Sequence, residues 1–102
     1  MPETVFCHYQ FPTPARDEFI ALLNGHWPTL RRLELVTDTP VEHWIGAPQR
    51  SDDTLIIEIF EWVSPEAAGV AHSHPEVAKI WDRMGAICTD MSFPHLERFP
   101  TG

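Results

Sequence analysis

Thr54-Leu55-Ile56-Ile57-Glu58-Ile59-Phe60-Glu61-Trp62-Val63-Ser64-Pro65 is the stretch that decides the fold. Leu55, Ile57 and Ile59 alternate with Ile56, Glu58, Phe60 and Trp62, which predicts a strand from Thr54 to Val63. Its near-continuous apolar character predicts that both faces are covered. Ser64-Pro65-Glu66 then signals a helix start: a capping serine, proline at the first helical position, and an acid in the first turn. That helix runs past His72, breaks at His74-Pro75 and restarts at Pro75-Glu76. Val77, Ile80, Trp81, Met84, Ile87 and Cys88 then fall on one helical face.

Upstream, Val5, Cys7, Tyr9 and Phe11 alternate with Phe6, His8 and Gln10, predicting a first strand from Val5 to Phe11. Thr13 can cap a helix with Pro14 at its first position. Phe19, Ile20, Leu22 and Leu23 carry that helix to Asn24-Gly25, a C-terminal stop signal. Pro28 can open a second short piece, Thr29 to Arg32, so the first helix is expected to break near Gly25 to Pro28. Leu33 to Ile45 is expected as one bent strand, with Pro40 at an edge or bulge. Downstream, Met91 to Phe99 predicts a short last strand interrupted by Pro94.

The order β-α-β-β-α-β over residues 1–102 predicts a single α+β, ferredoxin-like domain. It has a four-stranded antiparallel sheet with two broken helices on one face. The other face would be polar in a monomer, yet the third strand is apolar on both sides. That surplus predicts a homodimer.

Composition narrows the function classes. The chain of 102 residues has 15 acidic side chains against 7 basic ones, a net charge of −8, and Lys79 as its single lysine. No basic stripe is present, so neither nucleic acid nor an anionic membrane is an expected partner. No apolar run has the length of a membrane span, and Met1-Pro2-Glu3-Thr4 does not open a signal peptide. Cys7 and Cys88 are expected as reduced thiols of a cytoplasmic protein. The sequence carries no GxGxxG, phosphate loop, nucleophile elbow or HExxH, which leaves nucleotide chemistry and serine hydrolysis unsupported. Four Trp and six Phe are many for this length and need a core, an interface or a pocket.

Three residues are candidates for acid–base chemistry. His8 lies on the first strand beside Phe6 and Gln10, and an imidazole titrates near neutrality. His72 lies on the second helix. Glu58 sits mid-strand among apolar neighbours and needs a donor or cation, with His8 and Arg98 as candidate partners. Phe19, Phe60, Trp62, Trp81 and Met84, with His74 at the helix break, are candidates for a pocket taking a small apolar or aromatic ligand. The same stripe also fits plain core, and His74 also fits a helix cap. His72 and His74 are two apart and diverge on an intact helix, so no metal site is expected.

Phe60-Glu61-Trp62-Val63-Ser64-Pro65-Glu66-Ala67-Ala68, followed by His72, His74-Pro75-Glu76-Val77 and Trp81, resembles the antibiotic biosynthesis monooxygenase family of dimeric α/β barrels. The resemblance spans residues 54–88 in pattern and the whole chain in element order. It implies two sheets closing into a barrel with helices outside and a small aromatic or polyketide-like ligand between sheet and helices. It also implies, for some members, an oxygenase needing no metal, flavin or other cofactor. Haem-degrading relatives use a first-strand asparagine with a tryptophan and a histidine in the second helical region. Here the single asparagine is Asn24, the first strand offers His8, and Trp81 stands where that histidine would be. His72 is also one residue later than the family's usual spacing.

Overall fold

β1 (Glu3–Pro12) and β3 (Asp53–Trp62) pair antiparallel from Glu3↔Trp62 to Pro12↔Asp53 and form the middle of the sheet. Both strands alternate strictly in burial, as a period of two requires when only one face is covered. The computed structural model describes residues 1–97 and Phe99. β2 (Glu42–Gly46) flanks β3, β4 (Asp90–Ser92) flanks β1, and β5 (His95–Leu96) also pairs with β1. The last strand is thus two short pieces split at Pro94, whose carbonyl still accepts from the Phe6 amide at 2.9 Å.

α1 (Arg16–Arg32), α2 (Ala67–Ser73) and α3 (Pro75–Ile87) cover one face. Beneath them lie Val5, Cys7, Tyr9 and Phe11 of β1 and Ile56, Glu58, Phe60 and Trp62 of β3, all buried. Cross-strand pairs Phe6↔Ile59, His8↔Ile57 and Gln10↔Leu55 point the opposite way. Among the described residues no helix covers that side, and these residues stay half-buried, flanked by Trp44 at 62% exposure.

Four local expectations are corrected. The first helix does not break: α1 runs through Gly25 and Pro28. A proline inside a helix costs about 3 kcal/mol. Here Phe19, Leu23, His26 and Leu30 form one unbroken buried stripe across it. Burial of side chains such as Leu30, at about 1.5–3 kcal/mol each, offsets the loss. Thr13 does not cap α1. It sits in a 3-10 turn, Thr13–Ala15, and its hydroxyl donates to the Asp52 carbonyl at 2.6 Å. Nor does Ser64 cap α2 with its side chain; its carbonyl accepts from the Ala67 amide in a turn that precedes the helix.

Residues 33–45 are not one strand either. Val36 makes an isolated bridge to Trp62, and the ladder resumes only at Glu42. The cause is the true end of α1. The Leu35 amide bonds the Leu30 carbonyl, the Glu34 amide bonds the Arg31 carbonyl, and Glu34 has φ 62°. This is a Schellman ending with a left-handed residue where glycine is favoured, closed by buried Leu30 and Leu35. Glu34→Gly is therefore expected to stabilise the chain by about 0.5–1 kcal/mol, because relief of the left-handed penalty exceeds glycine's unfolded-state entropy. A thermal melt checks it; a lower Tm would contradict this description of the turn.

The break before Pro75 is as expected. His74 is extended, and its Nδ1 accepts the Glu76 amide at 3.3 Å, capping α3. No helix among the described residues is long and apolar enough to cross a membrane.

Candidate functional site

A cavity of about 270 Å³ lies between the sheet and the α2–α3 layer. Val5, Cys7, Tyr9, Phe60 and Trp62 form its sheet wall, and Ala68, His72, Trp81 and Met84 its helix wall. Met91, Phe93 and His95 close one side, and His26 of α1 the other. The lining is mostly apolar, with Phe60 edge-on to Trp62 at 5.0 Å between centroids. His72 stands edge-on to Trp81 at 4.6 Å. Its ring nitrogens have no hydrogen-bond partner among the described residues.

A hydrogen-bonded chain runs into the wall from Trp81. Its Nε1 donates to His26 Nε2 at 2.8 Å. An indole N–H can only donate, so His26 Nε2 accepts and the ring proton sits on Nδ1. Nδ1 then donates to Glu58 Oε1 at 2.9 Å. The Tyr9 hydroxyl donates to the same oxygen at 2.8 Å, and His43 Nε2 donates to Oε2 at 2.8 Å. Glu58 is fully buried, His26 nearly so, and the His43 side chain is 39% exposed. His43 opens onto a second groove between α1 and β2, lined also by Arg16 and Trp44.

This arrangement sets the charge state of the wall. Burial alone pushes the Glu58 carboxyl upward, but the hydrogen bonds from His26, His43 and Tyr9 outweigh it and hold the group down at about 2. Burial and the Glu58 charge push the Tyr9 hydroxyl well above its ordinary value and push the Cys7 thiol up as well. Cys88, half-buried beside Asp90, is raised to about 11. Cys7 and Cys88 are both free thiols, so neither is an activated nucleophile at neutral pH. Among the described residues no three His, Cys, Asp or Glu side chains are grouped as metal ligands.

No family model matches the chain, and no curated protein matches it in sequence. Solved structures do. The cofactor-independent oxygenase SnoaB from Streptomyces nogalater superposes with a TM-score of 0.67 over 99% of this chain and 97% of its own, at 16% identity. Rv0793 from Mycobacterium tuberculosis gives 0.62 over 99% and 98%, at 18% identity. At3g17210 from Arabidopsis thaliana gives 0.73 over 98% of each chain, at 12% identity. An antibiotic biosynthesis monooxygenase gives 0.68 over 98% and 100%, at 16% identity. The chain has an antibiotic biosynthesis monooxygenase-like fold.

On this monooxygenase-like fold the sequence candidates separate. Phe60, Trp62, Trp81, Met84 and His72 line the cavity. Phe19 does not: it is fully buried, stacked on Phe11 at 4.5 Å and tilted against Tyr9 at 5.1 Å. His74 does not line it either, being spent on the α3 cap. His8 lies on the uncovered face of the sheet, with its Nδ1 buried and without a partner among the described residues. It cannot be the partner of Glu58, which faces the helices; Arg98 lies outside the described residues. The residues that hold Glu58 are Tyr9, His26 and His43.

His26 was the hardest to foresee. It falls three residues after Leu23 and four before Leu30, on the buried stripe of α1, and a helix read as broken at Gly25 hides that spacing.

Proposed function

We propose that this chain is a cofactor-independent oxygenase of small aromatic or enolisable compounds, acting as a homodimer. The observation that carries this is an apolar cavity, partly open to solvent, with His72 on its wall as an imidazole that has no hydrogen-bond partner among the described residues. A substrate that supplies its own electrons to oxygen needs three things from a protein. It needs exclusion of water, a fixed ring plane, and a base for the phenolic or enolic proton. Phe60, Trp62 and Trp81 suit the first two, and His72 the third. Trp81 is itself held by the chain to Glu58, which makes Glu58 a positioning residue rather than a base. A cavity of about 150 Å³ holds benzene, so 270 Å³ suits one or two rings and not an extended polycycle.

The test is oxygen uptake by purified protein with one- and two-ring quinols, in the presence of a chelator. His72→Ala is expected to lower uptake about 10²-fold or more while leaving the melting temperature unchanged. Unchanged uptake would remove His72 from the chemistry.

One observation favours a second function, a non-catalytic ligand-binding dimer. The polar groups behind the helix wall satisfy one another and leave that part of the wall inert. Aromatic compounds that raise the melting temperature by mass action and are never converted would support it.

A further inference from the structure

Besides His72 and His26, a third imidazole lines the cavity. His95 belongs to β5 and pairs with Val5, so its side chain shares the cavity side of the sheet. Glu3 lies two residues before Val5 on that same face of β1, and its Oε1 is hydrogen-bonded to His95 Nδ1. A carboxylate on Nδ1 fixes the proton there and leaves Nε2 as the free basic nitrogen. Nε2 has no protein partner among the described residues. His72 hangs from the helix layer and His95 from β5 at the sheet, and both line the one cavity.

We infer that His95, oriented by Glu3, is a second catalytic acid–base group, acting on the carbon-bound hydrogen after oxygen has been added. This rests on the oxygenase function proposed above. With a para-quinol, His72 takes the phenolic proton, and the quinolate's electrons form a C–O bond to dioxygen. The proton on His72 passes to the distal peroxide oxygen. His95 Nε2 then removes the hydrogen from the carbon bearing the peroxide. That C–H pair becomes the new C=O bond, the O–O bond breaks and hydroxide leaves. The proton on His95 converts the hydroxide to water. Quinol and dioxygen become hydroxyquinone and water, and both imidazoles return to their starting state. If the C–H step stalls, the second phenol group expels hydroperoxide instead, giving the unsubstituted quinone and hydrogen peroxide.

His95→Gln and Glu3→Gln are therefore assayed with a one-ring para-quinol, measuring oxygen, hydrogen peroxide and both quinones above the spontaneous rate. His95→Gln is expected to keep oxygen uptake but lose about 10²-fold in hydroxyquinone formation, with hydrogen peroxide accounting for most of the oxygen consumed. Glu3→Gln should shift the same ratio by less, and it keeps the test decisive if His95→Gln folds poorly. A merely structural role would lower all products together. An unchanged ratio of hydroxyquinone to hydrogen peroxide in both variants overturns the inference. A wild-type protein that consumes no oxygen overturns the oxygenase function and this inference with it.

Discussion

Glu58→Ala is expected to cost about 3–5 kcal/mol and to lower Tm by at least about 12 °C in a domain of this size. The substitution removes the acceptor of three donors. His43 is exposed enough to turn to water, but the Tyr9 hydroxyl and the His26 Nδ1–H are left buried and unpaired. Each orphaned buried donor costs about 1–3 kcal/mol, against a total stability of about 5–15 kcal/mol. Glu58→Gln should cost less. Its carbonyl can take the Tyr9 and His26 bonds, and His43 can present its other tautomer to the amide. The same group gives an acid limb. Its folded pKa, about 2, lies below the ordinary value of 4.5. Its contribution is thus complete above about pH 4.5 and is lost as pH falls toward 2. That contribution is about 3 kcal/mol, and Glu58→Gln should flatten the limb. Urea melts at pH 7, 4 and 3 measure both effects. An equally steep limb in the variant would mean that another carboxylate carries it.

The second large effect is on assembly. Ile59→Lys should convert a dimer into a folded monomer. Ile59 lies on the uncovered face, opposite Phe6 of β1 and Glu42 of β2, with Ile57 and Leu55 along the same row. An apolar row of this kind in water marks an interface. A buried lysine in the middle of it forfeits apolar area and adds an unpaired charge to each copy. His8 Nδ1, buried on this face and without a partner among the described residues, is the polar group such an interface would satisfy. Light scattering should give twice 11.7 kDa for the wild type and 11.7 kDa for Ile59→Lys, with unchanged circular dichroism. A wild-type monomer at micromolar concentration would contradict the dimer.

Much of the fold was legible because it rests on periodicity. The alternation in β1 and β3 reports the two faces of the sheet, and the stripe from Val77 to Met84 reports the inner face of α3. The cavity residues Phe60, Trp62, Trp81 and Met84 follow from those two patterns. What stayed hidden depends on tertiary context. Gly25 and Pro28 are stop signals locally, yet packing of His26 and Leu30 carries α1 across them to Glu34, a residue with no sequence signature of a helix end. Tyr9 reads as one more apolar residue until Glu58 is seen beneath the helices. His95 follows a proline on a two-residue strand, and only pairing with Val5 brings it to the cavity. Glu58 was conspicuous from the start, but its partners lie on three separate elements and no spacing connects them.

If chemistry on a small aromatic occurs in the cavity between sheet and helices, filling that cavity abolishes it. Ala68 lines the cavity from α2. Ala68→Trp would fill it from one turn before His72 on α2, with His72, His95 and Glu58 all retained. Oxygen uptake with a two-ring quinol should be robust in the wild type and lost in Ala68→Trp, with an unchanged circular dichroism spectrum. Equal uptake by the two proteins would contradict the claim.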